Sequence, residues 1–246
     1  MSAIAPDPPP SLRPSLVELI RTGVLDPELA ALVWLLVEGR VPLVVAAPPA
    51  RLGAGAQLVR GIVGTIRPEL DDADLGQPLT RTGARRLTRG QRAGGVVAGG
   101  SLEDVHRWLS APPLPLSDDE LTFLGCVLVL GPSAAVTSAG PLRVVAAHYA
   151  RPLARDAHGH QQRLGPAVLA TWDEQAGRYE HFSWGVLPEI AARLGRKAGD
   201  LEADLHHRRD DLAGLAKAGI VSLDEVRRLI AGYAVEYGRQ HDPLGH

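Results

Sequence analysis

The chain has 246 residues, 45% of them hydrophobic and only 4% aromatic, with a formal charge of −2 at neutral pH. That length supports one large domain or two small ones around an aliphatic core, and the lack of a basic excess argues against a generic polyanion-binding protein. The single cysteine, Cys126 in the apolar run LGCVLVLG, excludes a disulfide framework, argues against a thiolate zinc site and fits a small buried hydrophobe.

Residues 1–14 are rich in proline and read as a disordered arm. They lack a charged segment followed by an apolar one, and no run in the chain nears the ~20 apolar residues of a membrane span. The expectation is a cytoplasmic protein without an integral membrane segment.

Ser15 to Thr22 and Asp26 to Glu38 predict two helices. Asp26 is a suitable N-cap ahead of Pro27, Gly39 ends the second helix, and Leu29, Leu32, Val33, Leu36 and Val37 recur at helical spacing. Val41 to Ala46 lacks polar alternation, as expected of a strand covered on both faces. A Pro/Ala/Gly turn follows, and Leu52 to Ile66 predicts the next helix.

This strand, turn and helix have the layout of a nucleotide-binding loop without its charged groups. In G-x-x-x-x-G-K-[ST], backbone amides wrap the phosphates, the lysine neutralises them and the hydroxyl holds Mg²⁺. Here Gly53 is followed by Ala54, and Gly55 by Ala56 and Gln57. The candidate degenerate phosphate loop is therefore Ala47, Pro48, Arg51, Gly53, Gly55 and Gln57, with Arg51 or Arg60 as the nearest cations. An ordinary strand, turn and helix with no phosphate in their ancestry fit the same residues.

Between Pro68 and Arg92 the composition shifts to Asp, Gly and Arg. Arg81, Arg85, Arg86, Arg89 and Arg92 form a candidate partner-binding group, with a solvated loop or helix face as the competing and favoured explanation; no aromatic residues interleave with them for base stacking, so nucleic acid is not the expected partner. Gly94 to Ala98 predicts a second buried strand, and Ser101 an N-cap with Asp104 in a capping-box position. Pro112, Pro113 and Pro115 stop that helix, Ser117 to Asp119 begin a short one, and Cys126 to Leu130 predict a third strand.

LRVVAAHYARPL, QQRLGPAVLATW and RYEHFSW then read as three strands of an antiparallel meander, turning at Asp156–Gly159 and Asp173–Gly177. His148, His158 and His160 lie on or between the first two runs and are candidate Zn²⁺ ligands, with a tight turn as the competing explanation. Trp172, Tyr179, Phe182 and Trp184 gather in one hairpin, either filling the core or offering a docking platform at Trp184. His206 and His207 are adjacent on a predicted helix and therefore diverge into solvent. Helices over Val186–Leu194, Gly199–Ala216 and Leu223–Tyr237 close the chain, the last opened by Ser222 with Glu225 three residues on.

Three segments together resemble the C-terminal motor domain of the secretion-superfamily ATPases, which drive type II and type IV secretion, tight-adherence pili and archaeal flagella. LDPELAALVWLLVEGRVPLVVAA resembles the helix and strand entering their P-loop, and GVVAGGSLEDVHRWL the stretch after their histidine box. LAKAGIVSLDEVRRLIAGY resembles their closing helix pair. The resemblance spans about Leu16 to Tyr233 and implies an α/β fold: a shortened P-loop-like core over 15–131, a β-meander over 132–185 and a helical subdomain over 186–240.

The departures fall on catalytic positions. The Walker A lysine and hydroxyl are replaced, Gly99 stands where the family places its box histidine, and no apolar strand precedes Glu69, Asp71, Asp72 and Asp74 as a Walker B carboxylate requires. Phosphoryl transfer rests on positioned charge, so the resemblance implies a noncatalytic protein without a cofactor. Such a protein serves as a structural or regulatory partner of an active secretion or pilus ATPase, as a homo-oligomer, or peripherally at a membrane-bound complex. The alternatives are a weak NTPase using ATP and Mg²⁺ in an oligomer, and a histidine-based Zn²⁺ module.

Overall fold

The computed structural model describes residues 13–70, 75–113, 115–132, 142–155 and 160–241. The first two helices are α1 (Leu16–Arg21) and α2 (Pro27–Glu38), opened by Ser15 and Asp26, whose side chains accept hydrogen bonds from the Glu18 and Leu29 amides. Then come β1 (Leu43–Ala47), a 3₁₀ turn at Pro49–Arg51, α3 (Leu52–Ile66), α4 (Arg81–Thr88), β2 (Gly94–Ala98), α5 (Leu102–Ser110), α6 (Asp118–Leu121) and β3 (Cys126–Pro132). The antiparallel strands are β4 (Leu142–Tyr149), β7 (Ala167–Asp173) and β8 (Arg178–His181), with β5 (Ala154–Arg155) and β6 (Gln161–Gln162) forming a separate two-stranded ladder. Helices α7 (Leu187–Arg193), α8 (Ala198–Ala218) and α9 (Leu223–His241) follow.

The fold is α/β, built on a mixed six-stranded sheet in the order β2-β1-β3-β4-β7-β8. β1 pairs in parallel with both β2 and β3, and the remaining pairs are antiparallel. Alternate residues of β1 enter two cores: Leu43, Val45 and Ala47 pack with α1–α3 and α7–α9, while Val44 and Ala46 pack with α4 and α5. Burial on both faces explains why β1 reads as an unbroken apolar run.

Helix α2 is more deeply enclosed than its periodicity predicts, since every residue from Leu29 to Val37 is buried. Sheet, α3 and α8 surround it, so no polar stripe is needed. No described helix is long and apolar enough to cross a membrane.

Two local expectations are corrected. QQRLGPAVLATW is not one strand: Gln161–Gln162 pair with Ala154–Arg155, and the sheet strand starts at Ala167, after Gly165 and Pro166. Pro166 has no amide to donate, which places the break there. The meander is thus β4-β7-β8, and the Asp156–Gly159 turn lies outside the described residues. At α5, Ser101 Oγ accepts from the Asp104 amide, but Asp104 accepts in return from Gly100 rather than Ser101. The reciprocal capping box is at α6, between Ser117 and Glu120.

Candidate functional site

The β1–α3 bend lies at the carboxyl edge of the parallel strands, where α/β sheets bind ligands. Its backbone is not arranged as a phosphate cradle. Pro48 and Pro49 have no amide hydrogen, and the Arg51 amide donates to Pro48 O at 2.7 Å, closing a 3₁₀ turn that runs directly into α3. Among Pro48 to Arg51, three amides are thereby removed from anion binding, whereas a P-loop works by pointing such groups at the ligand.

The two glycines have separate structural uses. A Cβ on Gly55 would lie 2.9 Å from Val96 Cγ1 and 3.1 Å from Ala47 Cβ, so this residue lets α3 approach β1 and β2 closely. A Cβ on Gly53 meets nothing within 4 Å. Gln57 is exposed, and Arg60 turns to the chain across a shallow cleft of about 420 Å³, donating Nε to Leu75 O at 3.1 Å. Ala47 is buried, and its carbonyl accepts from Gly99 N at 2.9 Å.

That last bond places the start of α5 beside the bend. There the Asp104 carboxylate accepts from Gly100 N at 2.9 Å and from Arg107 at 2.8 Å. The Gly100 amide and the Arg107 side chain hold the Asp104 carboxyl below the usual range. A side chain of the protein itself therefore occupies the position an external anion would take at this helix N-terminus. Residues 71–74 and 133–141, the latter following β3, are outside the described set.

The arginine group is divided by its contacts. Arg81 stacks on Trp108 at 4.4 Å and donates to Ala111 O, and Arg85 donates to Pro115 O with Glu120 3.6 Å away. Arg92 ties Gly94 O to Gln77 O. These three brace the segments around α4, while Arg86 and Arg89 are exposed.

The histidines are similarly separated. His148, on β4, is half-buried near His106 and Glu103 of α5, and burial lowers the pKa of both imidazoles. His160 is exposed just before β6, and His158 is outside the described residues. Among the described residues, no three His, Cys, Asp or Glu side chains come together as a metal site. His206 and His207 are both exposed, as their adjacency predicts, and burial raises the Cys126 pKa to about 12.

The aromatic group divides between the core and the surface. Trp172 and Tyr179 meet edge to face at 5.1 Å on the covered side of the sheet, and Tyr179 Oη donates to Val144 O at 2.7 Å. Phe182 and Trp184 project from the turn after β8, with Trp184 76% exposed.

Sequence pattern alone misses the most deeply buried charges. Asp204 is fully buried and accepts from Arg208, Arg196 and Tyr233. Arg208 also reaches Glu38 at 2.6 Å and stacks over Trp34 at 4.3 Å, so the network joins α8 to α2 and α9. Burial opposes ionisation of Asp204, but these bonds outweigh it and keep its carboxyl below the usual range. The available signal was Asp204 and Arg208 four apart on one helix.

No family model and no curated protein matches the chain.

Proposed function

We propose that this chain is a noncatalytic assembly protein, a shortened relative of the secretion-superfamily motor domains that serves as a structural or regulatory partner of an active motor. The observation that carries the reading is the β1–α3 bend: it stands at the ligand-binding edge of a parallel sheet, yet Pro48, Pro49 and the closed Arg51 amide withhold a donor at three of the four positions ahead of α3. Gly55 packs helix against sheet, and no lysine or hydroxyl stands in either register after the glycines. A transition state built on spread negative charge gains little at such a bend.

Docking is assigned to Trp184 with Phe182 beside it, an exposed aromatic pair of the kind that anchors interfaces. Co-expression with a secretion or pilus motor ATPase from the same genome tests the reading. Co-elution of the two chains, altered motor turnover and loss of both with Trp184→Ala support it; separate elution with unchanged turnover contradicts it.

A further inference from the structure

Arg143 of β4 is half-buried and has no carboxylate partner among the described residues. Its guanidinium carbon lies 3.4 Å from the centroid of the Trp172 ring, and its Nε is shielded from solvent without a hydrogen bond. Stacking on one indole leaves the guanidinium's in-plane N–H donors without an acceptor. Arg143 and Arg178 of β8 both line an open cavity of about 280 Å³.

We propose that this cavity binds a small monocarboxylate with a short apolar body, its two oxygens taken by Arg143. Planar guanidinium matches planar carboxylate through paired N–H donors. The other walls fit the rest of such a molecule, since Ile20, Leu25 and Pro27 are apolar and Trp172 presents an aromatic surface. Asp26 shares the cavity, with Oδ1 occupied by the Leu29 amide and Oδ2 by His181. Its charge disfavours a phosphate dianion more than a monocarboxylate.

The frame is rigid. Tyr179 packs on Trp172, and its single hydroxyl proton is shared between Val144 O at 2.7 Å and Val24 O at 2.9 Å, linking β8 to the segment that follows α1. Gly23, at φ +72°, sits where a Cβ would come within 3.3 Å of Arg143 Nη2. A side chain there would crowd the guanidinium. This site is independent of the β1–α3 bend and of any motor partner.

The test titrates the full chain with sodium butyrate, with sodium phosphate and sodium chloride at matched ionic strength alongside, following arginine Nε–H and tryptophan indole resonances by NMR. The expected result is a saturable shift confined to residues that line the cavity and largest at Arg143 and Trp172, with half-saturation below about 10 mM. Arg143→Gln is expected to weaken butyrate binding about tenfold or more, and Arg178→Gln about threefold. Should Arg143→Gln fail to fold, the wild-type resonances and Arg178→Gln still decide. No saturation, the same shift with chloride alone, tighter binding of phosphate than butyrate, or unchanged affinity in Arg143→Gln would overturn the proposal.

Discussion

His181 Nε2 lies 2.8 Å from Asp26 Oδ2, joining the last strand of the sheet to the N-cap of α2 across 155 positions of sequence. Burial by itself lowers the pKa of His181, but the hydrogen bond to Asp26 and the charges of Asp26 and Glu28 outweigh it and raise the value above 6.5. A histidine with a raised folded-state pKa stabilises the fold fully below its unfolded value. That contribution is lost as pH rises through the folded value.

The pair therefore predicts a pH-dependent mutational effect. In urea titrations, His181→Gln is expected to destabilise more at pH 5.5 than at pH 8.5, the difference closing above neutrality. An effect that grows with pH would contradict the assignment.

Asp204 and Arg208 predict an asymmetry. Asp204→Ala leaves a buried guanidinium with only the half-exposed Glu38, at an expected cost of about 3–5 kcal/mol. Replacing both, as Asp204→Leu with Arg208→Met, is expected to cost far less because no charge remains stranded. Denaturant unfolding of both variants measures the two.

The two glycines of the bend give opposite expectations. Gly55→Val places atoms against Val96 and Ala47 and is expected to destabilise by about 1–3 kcal/mol. Gly53→Ala, in open space on α3, is expected to stabilise by about 0.5–1 kcal/mol. Thermal unfolding of the two single variants suffices. A phosphate-cradle role for Gly53 predicts instead that its replacement affects nucleotide binding.

Within the arginine group, Arg81→Ala is expected to cost about 1–2 kcal/mol through the lost bond to Ala111 O and the exposed Trp108 face. Arg89→Ala, at an exposed position, is expected to stay within about 0.5 kcal/mol of wild type. Parallel urea midpoints separate bracing from surface charge.

Local chemistry made much of the fold legible. The bounds of α3 and β2 coincide with those the residues predict, because a helical apolar stripe and a short valine run need no distant information. Asp26 ahead of Pro27 fixed the start of α2 in the same way. The remainder depends on partners far along the chain. The register shift in β4–β7 and the stacking of Arg143 on Trp172 are set by how strands meet, which side-chain alternation does not encode. At the bend, sequence showed which groups are missing, but the helix–sheet contact of Gly55 and the closed Arg51 amide required three dimensions.

The central claim is that the β1–α3 bend has the position of a nucleotide site without its binding chemistry. Isothermal titration of the full chain with ATP and Mg²⁺ tests it most directly. The account predicts no saturable heat at millimolar nucleotide and no phosphate release; saturable binding that is lost on altering Arg51, Gly53 or Gln57 would contradict it.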